Sequence, residues 1–150
     1  MTIYFYSKVD EYSWLSNFSR HGFECDGVYW RTVEHYFQAA KFFPTDPDYA
    51  ERIRLALDPK KARSLGRSRK HPLRDDWEAV KDDIMRLAVR RKFETHSDLC
   101  ADLLATDNEE LVEKAPNDYY WGSGRTGSGK NMLGVIVMEV RQQLRKEESN

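Results

Sequence analysis

Residues 32–43 read TVEHYFQAAKFF and are followed at once by Pro44. Threonine is a favoured N-cap, and a proline forbids the helix from running on, so a helix is predicted between them. On that helix Glu34, Gln38 and Lys41 stand at i, i+4 and i+7 and share one face. Val33, Phe37 and Ala40 lie beside them. Two readings stay open. The stripe is a solvated face, or it is a carboxylate and an amine held at the floor of an aromatic pocket. In the second reading Glu34 serves as general acid or base, and a desolvated Lys41 loses its proton and attacks a sugar carbonyl.

Upstream, IYFYS at 3–7 has the β-branched and aromatic character of a short strand. FECDGVYW at 23–30 carries Asp26-Gly27 between two apolar runs, a tight-hairpin signal. A small N-terminal antiparallel sheet is therefore expected. Downstream, Asp46-Pro47 starts a helix through about residue 57, and Asp58-Pro59 starts another that Gly66 can end. The longest helical pattern runs from Asp76 to about Glu94, with Trp77, Val80, Ile84, Leu87, Ala88 and Phe93 at helical spacing. Ser97 can cap a helix through Leu104, 110–114 is a candidate strand, and MLGVIVMEVRQQLR reads as an amphipathic last helix with Asn131 near its start. Repeats, low-complexity linkers and composition breaks are lacking. The expectation is one mainly helical α+β domain over 1–150, its small sheet packed by several helices.

The bulk properties narrow the function. With 24 basic and 25 acidic residues among 150, the formal net charge is -1. A protein that coats nucleic acid usually presents a net basic face. Cys25 and Cys100 have no paired spacing, which suits free thiols in a reducing compartment. No targeting pattern and no apolar run of membrane-spanning length is visible, so a cytoplasmic location is expected. His21, His35, His71 and His96 show no metal-ligand spacing, and neither a metal nor another cofactor is called for.

Three further stretches hold candidate residues. GRTGSGKN at 124–131 nearly matches a phosphate-binding P-loop, but Asn131 replaces the Ser or Thr whose hydroxyl ligates magnesium. The stretch NDYYWGS before it is not a buried strand. A plain glycine turn, or a loop whose backbone and following helix hold a sugar or phosphate, are the alternatives. APNDYYWGSG at 115–124 joins Asp118 to the indole of Trp121 and to Gly122 and Gly124, whose backbone can approach a ligand. GRSRKHPLRDDW at 66–77 is basic. It is a solvated loop, or Arg67 and Arg69 bind phosphate.

NF at 17–18, the Asp-Gly hairpin, EHYFQAAKF at 34–42, GRSR-x4-RDDW at 66–77, MRLAVRRKF at 85–93 and NDYYWGSGRTGSGKNMLG at 117–134 together resemble the YbiA-like family, also called NADAR for NAD and ADP-ribose. The resemblance runs from about Ile3 to Leu144. It implies an N-glycosidase that splits the bond between ribose C1 and a nitrogen. In one branch the substrates are ribosylamino-pyrimidine and ribosylamino-uracil 5'-phosphates, reactive intermediates of riboflavin synthesis, and cleavage limits metabolite damage. Another branch removes ADP-ribose from guanine in nucleic acid, and a non-catalytic ADP-ribose-binding module is a third possibility.

The family's Glu and Lys match Glu34 and Lys41, and its Trp, Asp and Asn match Trp77 or Trp121, Asp118 and Asn131. Glu34, Lys41 and Asp118 are thereby implied as catalytic, with their individual roles open. Asn17, Phe18, Tyr36, Gln38, Arg67, Arg69, Trp77, Trp121, Gly122, Gly124, Lys130 and Asn131 are expected to bind the substrate. Trp121, with Tyr36 or Tyr120, would stack on the base, and Arg67, Arg69 or Lys130 would hold the phosphate. The expected partner is a small ribosyl phosphate, with ADP-ribosylated nucleic acid as the alternative, and no membrane or obligate protein partner.

Overall fold

The computed structural model describes residues 1–7 and 11–150. Along the chain lie β1 (Thr2–Phe5), β2 (Phe23–Cys25), β3 (Val28–Trp30), α1 (Val33–Ala40), α2 (Pro47–Arg54), α3 (Pro59–Gly66), α4 (Trp77–Thr95), α5 (Ser97–Leu104), β4 (Glu110–Glu113) and α6 (Met132–Glu148). The fold class is the expected mainly helical α+β. The residues group into two compact units, Arg20–Lys92 and Met1–Ser19 with Phe93–Asn150, and the division falls inside α4.

In Arg20–Lys92, β2 and β3 form the expected hairpin, paired from Phe23↔Trp30 to Cys25↔Val28. Asp26 and Gly27 at its tip have φ of 54° and 79°, the left-handed pair that a tight primed turn requires. Thr32 caps α1: its hydroxyl accepts the His35 backbone N–H at 3.1 Å. The same hydroxyl lies 2.8 Å from His35 Nδ1, and His35 Nε2 lies 3.0 Å from the Ala56 carbonyl. The carbonyl can only accept, so Nε2 carries the proton and Nδ1 accepts from Thr32. Burial holds the His35 pKa down, and the ring is a satisfied structural link from α1 to the turn after α2. Asp46 and Asp58 cap α2 and α3 through the N–H groups of Tyr49 and Lys61, as their positions before proline predict. Both helices pack on α1.

In the other unit, β1 pairs in parallel with β4, from Thr2↔Glu110 to Phe5↔Glu113. This corrects the expectation that the first strand belongs to an N-terminal antiparallel sheet. Strand pairing is non-local, and a parallel partner needs a long crossover, which no local pattern encodes. Ile3, Phe5 and Leu111 bury one face of this pair, joined in the core by Leu133, Ile136, Val137 and Val140 of α6. α6 packs on β4 so closely that a Cβ at Gly134 would stand 2.1 Å from the Leu111 carbonyl oxygen. α5 starts at Ser97 with His96 at the cap position and no capping side chain, so Ser97 is the first helical residue rather than the cap. Among the described residues, no helix is long and apolar enough to cross a membrane.

Candidate active site

Every residue of α1 is buried, the polar ones included. Glu34 and Gln38 are each 4% exposed and Lys41 is 7% exposed. The solvated-face reading is thereby excluded. Burying a charge is costly unless it finds partners. Gln38 Nε2 donates to Glu34 Oε2 at 2.6 Å, and Arg63 Nε reaches the same oxygen at 3.4 Å. Lys41 Nζ donates to the Gly66 carbonyl at 3.5 Å, a weak bond at the limit of useful length. Its ammonium also stands 5.8 Å from the ring centres of both Phe37 and Trp77, themselves 5.0 Å apart.

These contacts leave Lys41 poorly solvated. Its pKa falls from 10.5 to about 8, chiefly through burial. Glu34 opposes the fall, while Arg69, Arg67 and Arg63 add to it. The amine is thus held near the point at which it sheds its proton, the condition for acting as a nucleophile at neutral pH. The backbone around it is fixed from outside the helix. Arg74 donates its own N–H to the Lys41 carbonyl at 3.0 Å and Nη1 to the Ala40 carbonyl at 3.1 Å.

The basic loop borders this row. Arg69 Nη1 donates to the Gly66 carbonyl at 3.2 Å, the same oxygen that Lys41 approaches, and Arg67 and Arg69 are both exposed. The loop is pinned by His71, whose ring stacks on Tyr49 at 3.6 Å and whose Nδ1 meets Asp46 Oδ2 at 2.8 Å. Arg63 and Phe37 carry no site role in the sequence reading, and Gly66 enters it only as a helix end. Arg63 lies 29 positions from Glu34, so no local spacing could have linked them. Tyr36 does not stand as a stacking wall. It is buried, with edge contacts to Phe23, Trp30 and Phe43 and the Cys25 thiol against its hydroxyl at 3.7 Å. A ring committed on these sides serves as core.

The remaining candidates belong to the other unit. Asp118 Oδ1 accepts the backbone N–H groups of Tyr120 and Trp121 at 3.0 and 2.8 Å, so the carboxylate builds its own turn. Trp121 is half-buried and edge-on to Tyr120 at 4.9 Å. Lys130 Nζ stands 5.4 Å from the Tyr120 ring centre. Asn131, at φ 53°, makes no side-chain cap on α6. Its amide instead accepts the Glu113 N–H and donates to the Leu111 carbonyl, both at 2.9 Å, tying the start of α6 to β4.

The glycine loop is not an amide cradle of the P-loop kind. The N–H groups of Gly129, Lys130, Asn131, Met132 and Leu133 all turn back onto the carbonyls of Ser123, Tyr119, Gly122, Tyr120 and Trp121, at 2.7 to 3.0 Å. Donors spent in this way cannot coordinate a phosphate. Gly122 and Gly124 are buried within this network. Asn17 is buried and Phe18 half-buried just after a single 3-10 turn, Ser13–Leu15. Among the described residues no three His, Cys, Asp or Glu side chains are grouped so as to hold a metal ion.

The comparisons with known proteins agree with the sequence resemblance. N-glycosidase YbiA of Escherichia coli (strain K12) is 51% identical over 142 residues, covering 95% of this chain and 88% of that protein. The NMR structure of E. coli YbiA superposes with a TM-score of 0.91 at 49% identity, covering 99% of this chain and 88% of the other. A chloroplastic protein of Zea mays named riboflavin biosynthesis protein PYRR is 40% identical over 155 residues, covering 95% of this chain but 25% of that protein. The NADAR domain family matches residues 4–145, and the chain belongs to that family.

Proposed function

We propose that this chain is an N-glycosidase that hydrolyses the ribose C1–N bond of ribosylamino-pyrimidine or ribosylamino-uracil 5'-phosphates, giving ribose 5-phosphate and the free base. The enzyme class follows relatives named N-glycosidase at about half identity. The substrate class is supported by the maize relative, in which a segment like this chain is part of a protein named for riboflavin biosynthesis.

The buried row Glu34–Gln38–Lys41 is the observation that carries the reading. Loss of the nitrogen leaves C1 electron-poor, and a fixed carboxylate lowers the energy of that state. Glu34 is such a carboxylate, held in place by Gln38 and Arg63. A ribosylamine can also open to a C1 imine. The Lys41 amine then adds to C1, and the C1–N bond to the base breaks as the base leaves with a proton. Water hydrolyses the lysine Schiff base, which returns the amine and frees the sugar aldehyde. A lysine near pKa 8 has the unprotonated fraction this route needs. Arg67 and Arg69 are the proposed anchors for the 5'-phosphate, since guanidinium groups bind phosphate bidentately.

The test is to incubate purified protein with ribosylamino-uracil 5'-phosphate and assay ribose 5-phosphate. Release by the wild type and not by Glu34→Gln is expected. Intact substrate after prolonged incubation with wild type would refute the reading, and release of ADP-ribose from modified guanine instead would reassign the substrate.

A further inference from the structure

We propose that Gln38 is a positioning residue that sorts the two oxygens of Glu34, and that Gly66 is a glycine because the Gln38 carboxamide fills the place of its side chain. This rests on Glu34 being the working carboxylate of the proposed reaction.

The case begins with the ends of the carboxamide. The Nε2 end is committed to Glu34 Oε2 at 2.6 Å, and Arg63 approaches that same oxygen. None of the described hydrogen bonds ends on Glu34 Oε1, which is left for the substrate. The opposite end, Gln38 Oε1, is buried without a hydrogen-bond partner. Burying an acceptor in this way opposes folding, and an apolar side chain of the same shape would avoid it. The one hydrogen bond the carboxamide makes is therefore the one it gives Glu34, which supports that buried carboxylate and fixes which of its oxygens is engaged.

Gly66 supplies an independent observation. It ends α3 without a left-handed φ, since no positive φ is found there and Arg67 continues in the right-handed region at φ -85°. Backbone freedom is therefore not what the position needs. A Cβ on Gly66 would stand 2.0 Å from Gln38 Oε1 and 2.8 Å from both Gln38 Cβ and Cδ. The α3 end can approach α1 only if residue 66 has no side chain. That approach brings the Gly66 carbonyl to Lys41 and Arg69, at 3.5 and 3.2 Å. One contact thus sets the carboxylate through Gln38 and the amine through the Gly66 carbonyl.

The experiment compares wild type with Gln38→Met, Gly66→Ala, Gln38→Ala and the Gln38→Ala/Gly66→Ala pair, by thermal midpoint and by kcat and KM on ribosylamino-uracil 5'-phosphate. Gln38→Met preserves volume and deletes both amide groups. Its midpoint is expected to fall modestly, since Glu34 loses a buried donor while the unmet Gln38 Oε1 also goes, and kcat should fall about 10- to 100-fold with KM little changed, the usual scale for losing a residue that orients a reacting group. Gly66→Ala should lower the midpoint in the wild-type background and lower it less in Gln38→Ala, where only the 2.8 Å contact to Cβ remains. Full kcat in Gln38→Met would overturn the positioning role. A Gly66→Ala drop of the same size in both backgrounds would overturn the pairing. Absent wild-type turnover would refute the reaction itself, and the midpoints would still decide the pairing.

Discussion

Changing the charges around Lys41 should move the pH at which this protein reacts with a sugar aldehyde. The Lys41 pKa is about 8, lowered mainly by burial, then further by Arg69, Arg67 and Arg63 against the opposing pull of Glu34. At pH 8 about half of such an amine is neutral, against roughly 0.3% for a lysine at 10.5, a gain of more than a hundredfold in nucleophile. Arg69→Met removes a nearby positive charge and should move the titration up in pH. Glu34→Gln removes the opposing negative charge and should move it down. The assay is the initial rate of borohydride-trapped adduct with ribose 5-phosphate between pH 6 and 10, read by intact mass. Wild type should reach half its limiting rate near pH 8, with the two variants displaced in opposite directions. A half-rise above pH 10 in wild type, no adduct on Lys41, or displacements in the reverse order would refute the reasoning. The same titration affects folding. Between about pH 8 and 10.5 the unfolded chain holds this proton and the native chain does not, so stability rises across that window. The burial penalty, on the order of 3 kcal/mol, is present below about pH 8 and relieved above it.

Three further outcomes are expected. Lys92 is 1% exposed and burial pulls its pKa to about 7, so the change in thermal midpoint on Lys92→Met should be more favourable at pH 6 than at pH 9; equal changes at both would contradict this. Asp118→Ala forfeits two turn hydrogen bonds and should lose about 1–2 kcal/mol in urea unfolding, whereas Asp118→Asn keeps an acceptor oxygen and should lose much less. Asn131→Ala drops both links to β4 and puts alanine at a left-handed φ, for an expected loss of about 2–3 kcal/mol; Asn131→Gly, which relieves the backbone, should lose less.

Local chemistry was legible in the sequence. Thr32, Asp46 and Asp58 announced three helix starts, and Asp26-Gly27 announced the hairpin. The shared face of Glu34, Gln38 and Lys41 followed from spacing alone. What covers that face did not. Gly66 and Arg63 come from a helix 25 and 29 positions away from their partners Lys41 and Glu34, so periodicity could locate the stripe but not tell solvent from protein above it. Asn131 shows the same limit of local pattern. A polar residue before a helix suggests a cap or a ligand contact, yet its amide is used on a strand some twenty positions earlier. For the glycine-rich loop the sequence leaves a plain turn and a ligand cradle open, and only the tertiary structure shows the amides of Gly129 to Leu133 turned onto carbonyls of the preceding stretch.

The most direct measurement is ribose 5-phosphate formed from ribosylamino-uracil 5'-phosphate by wild type and by Glu34→Gln, with binding of the same compound followed by calorimetry. The account predicts stoichiometric release by wild type, and binding without release by the variant. Wild-type binding with no release, or undiminished turnover in Glu34→Gln, would contradict it.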